Sequence, residues 1–411
     1  MKLPKGFLAS GVRAGIRKKR PDLGLIVAPD GATAAAVFTK NAFQAAPVVL
    51  AKNAMKKSGG RVKGVVVNAG CANAVTGNRG MDAAKRVQKR AAALLQCSEN
   101  EIFLASTGVI GVVLPDKKIT DTLPDAITRL SATGIDALSH AILTTDVGPK
   151  VTQATFTLGG KRGRIVGIAK GAGMIHPNMA TMLSFVMTDA ALDPVTLQRA
   201  LKTAVDQSFN SISVDGDTST NDTVLLLASG KMGNLPTASP SPTGRGWREA
   251  PGEGRASYDN LADFQRALNT VCRDLAWMIV RDGEGATRVM ELEVRGGRSE
   301  RDAKLAAHAV ATSPLVKTAL HGGDPNWGRI LAALGRSGAR FSVKRVSLTA
   351  GKVPLVVNGE PAPYKEKDAA KVFSRERVPI LLDLGEGDAK AIVLSSDLGH
   401  DYVSLNADYR S

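Results

Sequence analysis

One hydroxyl in this chain has neighbours suited to covalent chemistry. Thr181 follows Ala180 in the stretch Lys170-Gly-Ala-Gly-Met-Ile-His-Pro-Asn-Met-Ala-Thr-Met-Leu-Ser-Phe185. Gly171 and Gly173 free the backbone just after a lysine, Pro177 fixes φ, and a small residue leads into the hydroxyl. Composition alone allows two readings. The stretch is a turn between the apolar runs Arg164–Ala169 and Met182–Met187, since glycine and proline mark turns. Alternatively it is a self-processing site, with Thr181 placed to attack the carbonyl of Ala180, which has little steric cover.

Other groups could serve such a site. Ser106-Thr107-Gly108 closes the apolar run from Ile102, and hydroxyls beside a glycine at a strand end can aim side-chain and main-chain donors at one point. The same tripeptide is also an ordinary turn. Leu143-Thr-Thr-Asp146 is a similar spot, and Glu284 sits between glycines in Asp282-Gly-Glu-Gly285, where a solvated loop acid is the plain alternative. Asp215, Asp217 and Asp222 resemble a calcium loop but lack its closing glutamate. No histidine pair has the i, i+4 zinc spacing, so no metal site is expected. The three cysteines, without a Cys-x-x-Cys pair, suit core packing in a reducing, cytoplasmic setting.

The elements that must hold these groups follow from patterning. With 411 residues and 44% hydrophobic content the chain can build more than one lobe. No window holds the eighteen or so apolar residues of a membrane helix. Arg13 breaks the apolar start, which reads as a first strand rather than a signal peptide. The net charge of +16 raises a nucleic-acid role, but it is diffuse, and its dense run Arg17–Arg20 has no flanking aromatics and reads as a solvated turn.

Short runs at Leu25–Ala28, Ala34–Phe38, Pro47–Leu50 and Gly64–Val67 are predicted strands, followed by a small polar loop at Asn68–Gly77 and a helix over Met81–Leu95. Asp193-Pro194 caps and opens a helix to about Gln207. A Pro/Gly/Ser/Arg-rich segment, Asn234–Asp259, reads as an insertion. After it, Leu261, Phe264, Leu268, Val271, Leu275, Met278 and Ile279 trace a helix, and Met290, Leu292 and Val294 a half-buried strand. A helix over Ala303–Ala311, a hairpin at Asn358-Gly359 and strands Val378–Leu384 and Ala389–Leu394 complete an α/β pattern of mixed sheets with packed helices.

Taken together, Lys170–Leu183, Phe209–Asp222 and Asp324–Leu331, supported by Ser106–Gly111, Asp282–Arg288 and the C-terminal segment, resemble the ornithine acetyltransferase family, also called the bifunctional glutamate N-acetyltransferase family. The resemblance runs collinearly from Pro4 to Ser411. It implies an autoprocessed, Ntn-hydrolase-like sandwich of the DmpA/ArgJ type with a smaller C-terminal lobe, divided near residues 285–300. It also implies cleavage between Ala180 and Thr181, giving an α chain of residues 1–180 and a β chain of residues 181–411 in an α2β2 heterotetramer.

By the same resemblance Thr181 is the nucleophile, and Thr107 and Gly108 form the oxyanion hole. Thr145, Lys170, Thr181, Glu284, Asn406 and Ser411 contact substrate. The implied reaction moves acetyl from N-acetylornithine to glutamate through an acetyl-threonine in arginine biosynthesis, without cofactor or metal. It leaves open acetyl-CoA as a further donor, and involves neither nucleic acid nor membrane. The Asn68–Gly77 loop, His176 and the insertion depart from the family pattern. A related self-processing aminopeptidase or amidohydrolase, with water as acceptor, is the alternative.

Overall fold

The computed structural model describes residues 1–176, 182–234 and 260–408. Ala180, Thr181, Ser411 and nearly all of the insertion therefore lie outside the described residues.

The strands, in chain order, are β1 (Leu8–Val12), β2 (Leu23–Phe38), β3 (Arg61–Cys71), β4 (Ile102–Val109), β5 (Lys150–Leu158), β6 (Lys161–Lys170), β7 (Leu183–Thr188), β8 (Ile212–Ser213) and β9 (Thr223–Ala228), then β10 (Val289–Gly297), β11 (Ser347–Ala350), β12 (Val353–Val357), β13 (Glu360–Pro361), β14 (Arg377–Asp383) and β15 (Ala389–Ser396). They form two mixed sheets. The first runs β4-β3-β2-β9-β7-β6-β5 with β1 added on β2, and the second runs β13-β12-β11-β14-β10-β15-β8. The pairs β3–β4 and β7–β9 are parallel in the first sheet, as are β10–β14 and β15–β8 in the second.

The helices are α1 (Ala46–Ser58), α2 (Gly77–Leu95), α3 (Asp116–Thr128), α4 (Ile135–Ala141), α5 (Pro194–Asp206), α6 (Leu261–Arg281), α7 (Glu300–Ala311), α8 (Pro314–Gly322), α9 (Trp327–Gly335), α10 (Glu366–Phe373) and α11 (His400–Asp408). In β7 every residue is buried because both faces of the sheet are covered. Phe185 and Met187 pack with Ile26, Ile168 and Leu138 of α4, while Val186 points the other way, among Leu197 of α5 and Leu268 and Leu275 of α6. Helix α6 also contacts β15, so it ties the first sheet to the second. The second sheet has its own core, in which Leu292, Val294, Ile380 and Leu382 meet Ala307 and Val310 of α7 and Phe373 of α10.

Two local expectations change. Pro47–Leu50 is helical and not a strand. Proline suits the first helical turn, Leu50, Ala51 and Ala54 recur at helical spacing on the buried side, and Gly59 ends the helix at φ 65°. The runs Leu25–Ala28 and Ala34–Phe38 are one sixteen-residue strand whose register on β3 shifts between Val27 and Ala32; it pairs with β3 as far as Thr33 and with β9 from Thr33 to Phe38. The cap at Asp193 is as expected: its carboxylate accepts the Thr196 amide hydrogen at 2.9 Å, with Pro194 opening α5. Asn358 and Gly359 both adopt positive φ in the β12–β13 hairpin, as a tight primed turn requires.

Candidate functional site

The segment that carries Ala180 and Thr181 links the end of β6 to the start of β7, and its described flanks are anchored by carboxylates. Upstream, Asp146 Oδ1 accepts the Gly171 amide at 2.6 Å. Asp215 accepts the Met174 amide and, at 2.8 Å, the Ile175 amide. These bonds hold Met174 at φ 60°, a conformation unfavourable for a side chain of its size. Downstream, Asp222 Oδ1 accepts the Met182 amide at 3.0 Å, and the Met182 carbonyl accepts Thr223 N–H at 3.1 Å.

Thr107 lies at the end of β4 and Lys170 at the end of β6. Their sheet positions are far apart, yet Lys170 Nζ donates to Thr107 Oγ1 at 3.3 Å and to Thr144 Oγ1 at 2.7 Å. A threonine hydroxyl that accepts from an ammonium keeps its own hydrogen for another acceptor. Gly108 has φ 128°, and a Cβ there would stand 2.6 Å from the Cys71 nitrogen, so only glycine fits between β4 and β3. Thr145 is half-buried next to Thr144, and within this loop the Lys170 hydrogen bond goes to Thr144.

Lys170 is almost wholly buried, and its charge is met by Asp146, with Oδ2 3.6 Å away. Lys150 Nζ lies 2.7 Å from Asp146 Oδ1 and also pairs with Asp282. Burial opposes ionisation of Asp146, but Lys170 and Lys150 outweigh it and hold the carboxyl well below its ordinary range. Burial lowers the pKa of Lys170 against the field of Asp146. Burial likewise pushes Asp215 up to about 6 and Asp222 well above the usual carboxylate range.

Glu284 approaches from the loop after α6. Its amide donates to Ala172 O at 2.9 Å, and its carboxylate lies directly against Gly173, where an added Cβ would push the Glu284 side chain aside. Asn406, on exposed α11, donates Nδ2–H to Glu284 Oε2 at 2.9 Å. Asp397 steadies the same loop by accepting the Thr287 and Arg288 amides at 2.8 and 3.0 Å and pairing with His321 at 2.8 Å.

Thr107, Gly108, Lys170, Glu284 and Asn406 thus converge around the flanks of the segment that holds Thr181. Sequence reasoning overlooked several residues that build this arrangement. Asn221 Nδ2 donates to Ala72 O at 2.7 Å and to Ser106 O at 2.8 Å, joining the Asn68–Gly77 loop to the residue before Thr107. That loop is braced internally as well, with Ser106 Oγ bonded to Asn68 Oδ1 at 2.5 Å and Asn68 Nδ2 to Cys71 O at 2.9 Å. The three aspartates that looked like a calcium loop include the two that hold the Met174, Ile175 and Met182 amides. Arg17, at the start of the basic run, donates to Leu143 O at 2.6 Å and so braces the Thr144–Asp146 turn.

Hydroxyl and ammonium groups meet at strand ends in a two-sheet α/β scaffold, an arrangement suited to acyl transfer. Residues 8–411 match the ArgJ family, and the chain belongs to that family. It is 46% identical to the arginine biosynthesis bifunctional protein ArgJ of Geobacter sulfurreducens over 99% of each chain. It is 43% identical to the protein of the same name from Caldanaerobacter subterraneus subsp. tengcongensis, over 100% of this chain and 98% of that one. A crystal structure of the Bacillus halodurans arginine biosynthesis bifunctional protein argJ, 38% identical, aligns with 56% of this chain and all of its own at a TM-score of 0.49. Among the described residues no helix is long and apolar enough to cross a membrane.

Proposed function

We propose that the protein is a glutamate N-acetyltransferase of arginine biosynthesis that takes acetyl from N-acetylornithine, with Thr181 as a nucleophile released by cleavage after Ala180. The observation that carries this reading is the meeting of Thr107, Gly108 and Lys170 at the ends of β4 and β6, beside the segment that holds Thr181.

A threonine at a new N-terminus supplies both nucleophile and base. Its α-amine, with a reference pKa of roughly 7.7–8.0, takes the Oγ proton near neutral pH, whereas the amide it replaces is not basic. Thr181 Oγ attacks the acetyl carbonyl. The Thr107 hydroxyl and the Gly108 N–H stabilise the oxyanion, helped by the Lys170 charge behind Thr107. Ornithine leaves, the α-amine of glutamate attacks the threonine ester, and N-acetylglutamate departs. Glu284 and Asn406 bind the polar ends of the amino acids, Thr145 and Ser411 complete the site, and Lys170 attracts their carboxylates. Acetyl-CoA is a candidate second donor, and the processed chains pair as α2β2 in the cytoplasm.

Intact mass and N-terminal sequencing of the purified protein, with acetyl transfer from N-acetylornithine to glutamate, test the proposal. The expected result is a second N-terminus at Thr181, and an uncut, inactive Thr181→Ala variant. A single uncut chain that transfers acetyl, or hydrolysis that ignores glutamate, would overturn it.

A further inference from the structure

Five of the eight residues from 13 to 20 are basic, namely Arg13, Arg17, Lys18, Lys19 and Arg20. The turn they occupy is built around a buried acid. Asp22, 0% exposed, accepts the Ala14 amide at 2.6 Å and the Arg17 amide at 2.7 Å, so both of its oxygens are spent on shaping the backbone. Arg13 donates to Lys18 O, and Lys118 of α3 donates to Gly15 O at 2.6 Å, which adds a sixth cation to the five. None of the six forms an ion pair among the described residues, and Lys18, Lys19 and Arg20 are exposed.

The place of this turn distinguishes it from an ordinary solvated one. Arg17 donates to Leu143 O at 2.6 Å and to Thr144 O at 3.3 Å, and Thr144 Oγ1 accepts from Lys170 at 2.7 Å. The Arg17 stem also lies over Gly70, where a Cβ would stand 2.8 Å from Arg17 Cγ, and Gly70 pairs in register with Gly108. The turn therefore borders the cluster of Thr107, Gly108 and Lys170. The buried charges beside it cancel, since Lys170 and Lys150 face Asp146 and Asp282. The net field on this side of the site is that of the turn.

Such a field acts on whatever charge a substrate carries. Glutamate arrives with two carboxylates and one ammonium, a net negative charge, whereas ornithine has two ammoniums and one carboxylate, a net positive charge. N-acetylornithine has no net charge. In a ping-pong transfer the acetylated enzyme can pass its acetyl group to either amine, back to ornithine or onward to glutamate.

We infer that the basic turn from Arg13 to Arg20 is a charge filter for the acceptor, drawing glutamate to the acetylated site and repelling ornithine. This deepens the acetyl-transfer reading above and rests on it. The filter leaves the overall equilibrium untouched, because the field also draws in N-acetylglutamate, the doubly negative donor of the reverse reaction. It sets which amine the acetylated enzyme meets first.

Steady-state acetyl transfer by the purified protein tests the inference with Lys18→Gln/Lys19→Gln/Arg20→Gln, which keeps the Asp22, Arg13 and Arg17 hydrogen bonds of the turn. Glutamate is the acceptor in one arm, and isotopically labelled ornithine, exchanging with N-acetylornithine, in the other. The variant is expected to lower kcat/KM for glutamate about 3- to 10-fold at low salt and to raise it for ornithine by a similar factor. The value for N-acetylornithine as donor should stay constant. In the wild type, raising salt from about 20 to about 300 mM should shift the two amines in the same opposite directions, because the screening length shrinks. Salt effects of one sign for both amines overturn the inference even if the variant fails to fold. Parallel changes for both amines in the variant, or none, overturn it while leaving the acetyl-transfer reading intact. A wild-type protein that transfers no acetyl group overturns both.

Discussion

Lys170 and Asp146 face each other across 3.6 Å in the interior, with side chains 3% and 0% exposed. Asp146 also binds Lys150 and the Gly171 amide, so one carboxylate fixes both Lys170 and the start of the segment leading to Thr181. Removing one member of a buried ion pair strands the others. Asp146→Asn is therefore predicted to destabilise the fold by roughly 3–5 kcal/mol, read by urea unfolding. The folded pKa lies below the unfolded 3.8, so this stability is complete above that value and fades as pH falls toward the folded one. The variant should unfold with less acid sensitivity than the wild type.

Thr107 tests the oxyanion assignment. Thr107→Val keeps the shape of a 5% exposed residue and removes the hydroxyl, along with the acceptor it offers Lys170. Loss of one such donor corresponds to about 2.7–4 kcal/mol, so kcat for acetyl transfer should fall roughly 100- to 1,000-fold with KM little changed. An unchanged kcat would assign the oxyanion to other donors. Gly108→Ala should fail differently, by loss of folded protein, because its Cβ collides with the Gly70–Cys71 backbone.

Asp215 gives a pH prediction of opposite sign. Its pKa rises from 3.8 to about 6 on folding, chiefly through burial, so the folded chain binds the proton more tightly. Its contribution is full below the unfolded value and is lost as pH rises through about 6. Asp215→Asn should flatten the change in Tm between about pH 4 and pH 6.5 while keeping one acceptor for the Met174 and Ile175 amides. A variant whose Tm varies with pH as steeply as the wild type would rule out Asp215 as the source.

The parts of the fold that sequence revealed are those where one local rule dominates. Asp193-Pro194 starts α5 because cap and φ agree, and α6 keeps its apolar stripe over twenty-one residues. Pro47-Val-Val-Leu50 misled because β-branched residues favour strands, whereas Pro47 at the first turn and burial of Leu50, Ala51 and Ala54 decide for a helix. In the candidate site, the family resemblance singled out Thr107, Lys170 and Glu284. It did not single out Asp146, Asn221 and Asp222, because each works by reaching a backbone group or charge that only tertiary structure brings near. Asn221, for instance, bonds Ala72 from 149 residues away. No spacing rule spans such a distance.

Asn406 and Glu284 meet beside the candidate site. Their hydrogen bond, at 2.9 Å, lies on an exposed helix that buries none of its residues, so it adds little to stability. It can, however, aim one carboxylate oxygen and leave the other for a substrate ammonium. Asn406→Ala should leave self-cleavage and Tm unchanged and raise KM for N-acetylornithine or glutamate several-fold. Glu284→Gln keeps an acceptor for Asn406 but removes the charge, and should raise KM more, for whichever substrate presents its ammonium there. If the pair acts as a unit, the double variant should be no worse than Glu284→Gln alone, a non-additivity that a double-mutant cycle in KM measures directly. Independent, additive losses would show that each residue meets the substrate separately.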